Sequence, residues 1–168
     1  MPKPMNAFII DAFDFCRQKQ ERSGEMALSD LPRLAAELTD TNGLLQWVVR
    51  GGVDAQGHPN LNLSVSGPVH LRCQRCLGPF EFGIDSESVL VLVEDEASAD
   101  TLEAQLDDDS VDVVVGSRTM DMLALIEDEA LLALPVSPRH EVCPDQSALD
   151  ALKKDRPDSP FAVLKNLT

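Results

Sequence analysis

The chain has 168 residues, enough for a domain with a sizeable core, and aromatic residues make up only 4% of it. It carries 29 acidic and 14 basic residues, a formal net charge of −15, so it lacks the basic stripe of a nucleic-acid-binding protein. No apolar run approaches the roughly 18 residues of a membrane span. The N-terminal segment is a poor secretory signal because Asp11 and Asp14 interrupt it. We therefore expect a soluble, cytoplasmic protein.

The first two thirds of the chain contain one short predicted helix and a series of predicted strands. Residues 28–38, "LSDLPRLAAEL", have the apolar spacing of a short helix. Residues 44–54 are typical of a strand that ends at a Gly-Gly turn, and residues 58–73 and 80–95 alternate apolar and polar side chains. Such alternation favours an antiparallel sheet with one buried face. The segment Cys73 to Gly78 then lies at the turn between two long strands.

The clearest helix is predicted between Met120 and Leu134, because apolar residues recur there every three or four positions before Pro135. Residues 110–116 can supply a further strand. These patterns predict an α+β fold, an antiparallel sheet of about five or six strands with the long helix packed on one face. Because the strands are long, the sheet could curl into a barrel-like shape.

The C-terminal part of the chain differs in composition from the predicted domain. It is rich in Pro and polar residues and then ends in the short amphipathic segment "FAVLKNL". We therefore expect residues 1–143 to form a single α+β domain. We expect residues 144–168 to be a mostly flexible tail that ends in this amphipathic segment.

Two pairs of residues have the types and spacing of a tetrahedral zinc site. Cys73 and Cys76 form a C-x-x-C turn, and His140 and Cys143 are also three positions apart, beyond the predicted long helix. Structural zinc sites commonly combine two ligands from such a turn with two from a distant segment. Reduced structural thiols and a redox pair are the alternatives. The redox interpretation is weaker because the motif falls in a predicted hairpin, whereas thiol activation favours a helix N-terminus.

The sequence contains no catalytic signature. The G-x-S-x-G, P-loop, Rossmann and H-E-x-x-H patterns are all absent, so we expect neither an enzyme nor a small-molecule substrate. The carboxylates of Glu127, Asp128 and Glu129 could hold Mg²⁺ in a nuclease, but the acidic excess opposes the binding of a polyanion. Alternatively they lie on a solvated helix face, where at least one would pair with Arg118 or Arg139.

A combination of motifs links the chain to a known family. These motifs are "CQRCL" at a strand turn, "MDMLALIEDEALLALPVSPRH", Cys143 shortly after that histidine, and a terminal "SPFAVLKNL". Together they resemble the large ribosomal RNA subunit accumulation protein family, YceD, over roughly residues 60–168. The resemblance implies a bacterial, non-enzymatic factor that supports the synthesis, processing or stability of large-subunit (23S) ribosomal RNA. The family's genes often lie beside the gene for a small basic ribosomal protein.

The resemblance and the charge together favour a basic protein partner, either a ribosomal protein or a protein that processes ribosomal RNA. Direct RNA binding is disfavoured by the acidic excess. The candidate partner-binding residues are Arg75, Glu94, Asp95, Glu96, Asp107, Asp108, Asp109, Glu127, Asp128 and Glu129. The alternative from a different class is a zinc-knuckle-like turn that contacts RNA through a small basic patch, formed by Arg50, His70, Arg72 and Arg75.

Overall fold

The structure, a computed structural model, describes residues 7–106, 110–144 and 147–154. A short 3₁₀ turn, Leu28–Asp30, comes directly before the second helix. In chain order the elements are β1 (Ile9–Ile10), α1 (Ala12–Arg17), β2 (Glu21–Ala27), α2 (Pro32–Glu37), β3 (Leu44–Val53), β4 (Pro59–Arg72), β5 (Pro79–Val93), α3 (Glu96–Glu103), β6 (Val111–Val115), β7 (Met120–Asp121), α4 (Met122–Leu132) and α5 (Ser147–Lys154).

Five strands form one sheet in the order β2-β3-β4-β5-β6, and β1 pairs with β7 in a separate two-stranded ribbon. The strands from β2 to β5 run antiparallel, with Val65 opposite both Trp47 and Ser86. The last strand, β6, instead joins β5 in parallel, and α3 lies in the connection between them. Parallel neighbours require such a crossover, whereas antiparallel neighbours can be joined by a hairpin. The predicted α+β class is confirmed, and the described sheet stays open rather than closing into a barrel.

The core lies between one face of the sheet and the helices packed on it. Alternate residues of β4, including Leu61, Leu63 and Val65, are buried on this face, as period-2 patterning requires. On α4 the residues Met122, Ile126 and Ala130 are fully buried, and their spacing of four places them on one side of the helix. The long helix is therefore present as predicted, although it begins at Met122 and ends at Leu132.

The predicted tail is described only in part. Residues 147–154 form α5, whereas the amphipathic segment at residues 161–167 lies outside the described residues. The division into a domain over residues 1–143 and a flexible tail therefore stays a prediction. None of the helices in the described ranges combines the length and the apolar character that a membrane span requires.

Candidate metal centre

The turn between β4 and β5 supplies the first half of the candidate site. The Cys73 N–H donates to the carbonyl of Gly78 at 2.8 Å, and the Leu77 N–H donates to the carbonyl of Cys73 at 2.8 Å. Leu77 adopts a φ of 63°, in the left-handed region that residues other than glycine rarely occupy. These two bonds close a tight loop from Cys73 to Gly78, with Cys73 at its start and Cys76 within it.

The segment that follows α4 supplies the second half. The Gln74 N–H donates to the carbonyl of Pro138 at 2.8 Å, which ties this segment to the hairpin turn. The Arg75 guanidinium donates to the carbonyl of His140 at 3.2 Å. The ring of Phe80 lies 5.0 Å from the imidazole of His140, between centroids. These contacts hold the second pair of donors against the first.

The four predicted ligands converge at this point. One donor atom from each of Cys73, Cys76, His140 and Cys143 lies within 4.8 Å of all the others. The Sγ atoms of Cys73 and Cys143 are 3.9 Å apart, and Cys76 Sγ is 3.4 Å from His140 Nδ1. Tetrahedral zinc, with Zn–S of about 2.3 Å and Zn–N of about 2.0 Å, places neighbouring ligand atoms about 3.5–3.8 Å apart. The cluster therefore fits a metal ion, and its three sulfurs and one imidazole are ligands that zinc favours.

The surroundings shift the pKa values of two of the thiols, Cys73 and Cys143, in opposite directions. Burial opposes ionisation of Cys73, but hydrogen bonds from the backbone of Cys76, His140 and Arg75 outweigh it and lower the pKa of Cys73 to about 5. Burial, followed by the neighbouring Cys76 and Cys73, raises the pKa of Cys143 to about 11. Several thiolates at this spacing repel each other, and a divalent cation removes that repulsion by accepting their charge.

The acidic residues near α3 are only partly described. Glu94, Asp95 and Glu96 are exposed at the start of α3. Asp95 also has a structural role, because its carboxylate accepts a hydrogen bond from the Ser98 N–H at 2.8 Å and caps the helix. The remaining members of the predicted acidic surface in this region, Asp107, Asp108 and Asp109, lie outside the described residues.

Two of the three helix acids do not lie on the surface. Glu127 and Glu129 are buried, at 5% and 7% exposure, although their acidic sequence predicted a partner-binding surface. Glu127 accepts hydrogen bonds from the backbone N–H groups of Arg33 and Leu34 at 2.6 and 3.1 Å. Both side chains are therefore engaged within the fold, since Glu129 also accepts hydrogen bonds from Ser86 and Ser88.

The third helix acid, Asp128, is half-exposed and pairs with Arg33 at 2.6 Å. Arg33 also contacts Glu127 at 2.8 Å, so the cation that serves this part of the helix comes from α2. The prediction that at least one of the helix acids pairs with Arg118 or Arg139 was therefore wrong, since their partner is Arg33. A sequence pattern could not identify Arg33, because it lies 94 residues from Glu127 along the chain.

Part of the small basic patch proposed for RNA is paired with acidic residues. Arg50 pairs with Glu21 at 2.6 Å, and His70 Nδ1 lies 3.2 Å from a carboxylate oxygen of Asp40. Arg75 is exposed but donates to the backbone at the cluster, and Arg72 is exposed at the end of β4. Arg72 and Arg75 are therefore the members of the patch that stay accessible to phosphate.

The fold and the cluster define a class of protein: an acidic α+β domain whose central hairpin carries half of a Cys₃His cluster that could hold a metal ion. The family model for the large ribosomal RNA subunit accumulation protein YceD matches residues 61–168, and the chain belongs to this family. The matched region contains all four candidate ligands.

Comparison with a curated relative extends the similarity to the whole chain. The large ribosomal RNA subunit accumulation protein YceD of Haemophilus influenzae is 26% identical over 174 residues, which cover 99% of this chain and 98% of that protein. No solved structure was found to match the chain. The N-terminal third, which the family model does not match, is therefore included in the similarity to this relative.

Proposed function

We propose that the chain is a non-enzymatic factor that supports the accumulation of large-subunit ribosomal RNA by binding a basic ribosomal or RNA-processing protein. Membership of the YceD family is the observation that carries this proposal. The net charge of −15 supports a basic protein as the partner and argues against bare RNA, because the affinity of proteins for phosphate backbones comes chiefly from Lys and Arg.

The proposed contact surface lies around α3. The sequence between Cys76 and Ser117 contains twelve acidic residues and no Lys or Arg. Within the described part of this region, Glu94, Glu96 and Asp100 are exposed. Long-range attraction to this surface accelerates the encounter with a basic partner, and added salt screens it.

The Cys₃His cluster has a structural role in this proposal. A zinc ion held by Cys73, Cys76, His140 and Cys143 would fasten the β4–β5 turn to the segment after α4, which are already joined by backbone hydrogen bonds. Structural zinc contributes its binding free energy to folding, so the ion would stabilise this end of the sheet. The proposal assigns no reaction to the ion.

The surface is tested by the triple variant Glu94→Gln, Glu96→Gln and Asp100→Asn, which leaves the Asp95 cap intact. In a bacterial strain that lacks its own YceD protein, we expect the unmodified chain to restore the ratio of large- to small-subunit ribosomal RNA. We expect the triple variant to restore it poorly. In extracts, the variant should retain basic ribosomal proteins at least roughly tenfold less well at low salt, the order expected when three charge contacts are lost.

The matched control removes the same number of charges elsewhere. Glu25, Asp30 and Asp150 are exposed on β2, the 3₁₀ turn and α5, outside the acidic region from Cys76 to Ser117, and their neutralisation gives the same net charge. If both triple variants fail equally, net charge rather than the α3 surface is responsible, and the surface assignment is wrong. Tight binding of naked large-subunit RNA by the isolated chain would overturn the preference for a protein partner.

A further inference from the structure

A shallow groove lies beside the metal centre and has no role in the proposed function. Its volume is about 360 Å³, and it runs between the end of α4 and the hairpin that carries Cys73. Its lining has an apolar part and two polar groups, the carboxylate of Glu37 and the amide of Gln74. The apolar residues are Leu71, Leu131, Leu134, Pro135, Val136 and Pro138. The groove therefore combines apolar side chains with one negative charge.

Large apolar side chains at this end of the molecule are strongly exposed. Val136, which lines the groove, is 99% exposed, and Leu132 on the last turn of α4 is 81% exposed. Exposed apolar surface next to a concave site favours the binding of another segment, because burying it gains about 25 cal/mol per Å². No local motif in the sequence marks this site, because its residues come from separate parts of the chain.

We propose that the segment of residues 159–168 of the same chain, "SPFAVLKNLT", docks in this groove. Its sequence has the matching chemistry: Phe161, Leu164 and Leu167 recur at every third position, a spacing that can present apolar side chains on one side. Lys165 supplies a positive charge that complements Glu37. The family match extends to residue 168, so this segment belongs to the region that the family shares.

The connection between the segment and the groove favours docking within one chain. The C-terminal residues continue from Cys143, whose Sγ lies 3.9 Å from the Sγ of Cys73. Gln74, the residue after Cys73, lines the groove. The tether thus begins at the edge of the site. Seventeen residues, which include α5, lie between Cys143 and Phe161. Because the segment and the groove belong to one chain, the length and stiffness of this connection set a high effective concentration. A weak contact is therefore sufficient for occupancy in cis.

The proposal is independent of the identity of the partner protein and of the α3 surface. It predicts that residues 159–168 cover the exposed residues at the end of α4. A partner that bound this groove would first have to displace the segment.

Photo-crosslinking in the full-length chain tests the occupant directly. Phe161 is replaced by the photoreactive analogue benzoylphenylalanine, and the adducts are located by mass spectrometry. We expect an adduct within one chain, on the stretch from Leu131 to Pro138. The same analogue at Asp150, which is exposed on α5, serves as the control and should not label that stretch.

The other outcomes overturn the proposal. An adduct that joins two chains through the same stretch would mean that a second copy fills the groove. Adducts elsewhere, or none on the folded chain, would mean that the segment does not bind there.

Hydrogen exchange provides a second readout on the full chain. The amides of Leu134, Val136 and Ser137 should exchange roughly tenfold more slowly in the unmodified chain than in the double variant Phe161→Ser and Leu164→Ser, as expected when the effective concentration exceeds the dissociation constant about tenfold. Equal exchange in the two proteins would contradict docking. Because neither change lies in the described core, protection of β4 should be the same in both and shows that the fold is intact.

Discussion

Glu127 on α4 caps the N-terminus of α2 by accepting the backbone N–H of Arg33 at 2.6 Å. The same carboxylate oxygen accepts the next N–H, from Leu34, and the other oxygen pairs with the Arg33 side chain at 2.8 Å. The residue at the N-cap position of α2, Leu31, has no side chain that can do this. A buried acid from another helix therefore satisfies amides that a local cap usually satisfies.

Replacement of this cap should be costly. Glu127→Ala leaves two amides in or near the interior without their acceptor, and we expect the free energy of unfolding to fall by about 2–4 kcal/mol. Denaturant titration measures the change. Asp128→Asn is the matched control on the same helix, since Asp128 is half-exposed and such pairs contribute little, about 0–1 kcal/mol. An equal effect of the two substitutions would contradict the capping role.

Loss of one ligand should release the metal and loosen the hairpin. We expect purified protein to contain close to one equivalent of zinc, and Cys143→Ser to lose most of it with a clear drop in melting temperature. Elemental analysis and thermal unfolding, with and without a chelator, measure both effects. Chelation should also lower the melting temperature of the unmodified chain.

The fourth cysteine supplies the control for this experiment. Cys16 is buried away from the cluster, its Sγ donates to the carbonyl of Asn60 at 3.0 Å, and burial raises its pKa. Cys16→Ala should therefore keep its zinc. A purified protein that is fully folded without metal, and whose melting temperature is the same with and without a chelator, would exclude the structural zinc.

Acid should weaken the start of α3. Hydrogen bonds from Ser98 hold the pKa of Asp95 below its usual range. A lowered pKa in the folded state means that this stabilisation is present above the unfolded value, about 3.9, and is lost as the pH falls through the folded pKa. NMR titration of the Asp95 carboxyl measures this directly. A titration midpoint at or above the ordinary Asp value would contradict the cap, and Asp95→Asn should keep the helix but remove its pH dependence.

A glycine on β3 leaves no room for a side chain. A Cβ at Gly51 would lie 2.6 Å from the carbonyl oxygen of Phe15 and 2.9 Å from the Cα of Cys16, both backbone atoms of the α1 region. We expect Gly51→Ala to reduce the free energy of unfolding by about 1–3 kcal/mol, because α1 must shift away from the sheet.

Gly83 on β5 is the matched control, since a Cβ there meets no described atom within 4 Å. Gly83→Ala should change stability by less than about 1 kcal/mol, and chemical denaturation of the two variants compares them. If the Gly51→Ala variant were as stable as the Gly83→Ala variant, the conclusion that α1 packs closely against β3 at Gly51 would be wrong.

Local patterns were sufficient for much of the fold. The alternation in β4 and β5 predicted two long strands with Cys73 to Gly78 between them, and the apolar spacing that includes Ile126 and Ala130 predicted the helix. The spacing within each pair of candidate ligands also indicated a metal cluster, although the sequence could not bring the pairs together. These features depend on residues within a few positions of each other, where strand and helix geometry determines which side chains share a face.

Only the tertiary structure showed which charges are on the surface and which strands are neighbours. Glu127 and Glu129 have the composition of a solvated face but are buried, because Arg33, Ser86 and Ser88 reach them from other elements. The parallel pairing of β5 with β6 depends on a crossover that local alternation does not encode. By itself, the sequence determined the charge, the strand and helix periods and the ligand types. Contacts between distant parts of the chain decided the rest, because hydrogen bonding and burial depend on distance in space.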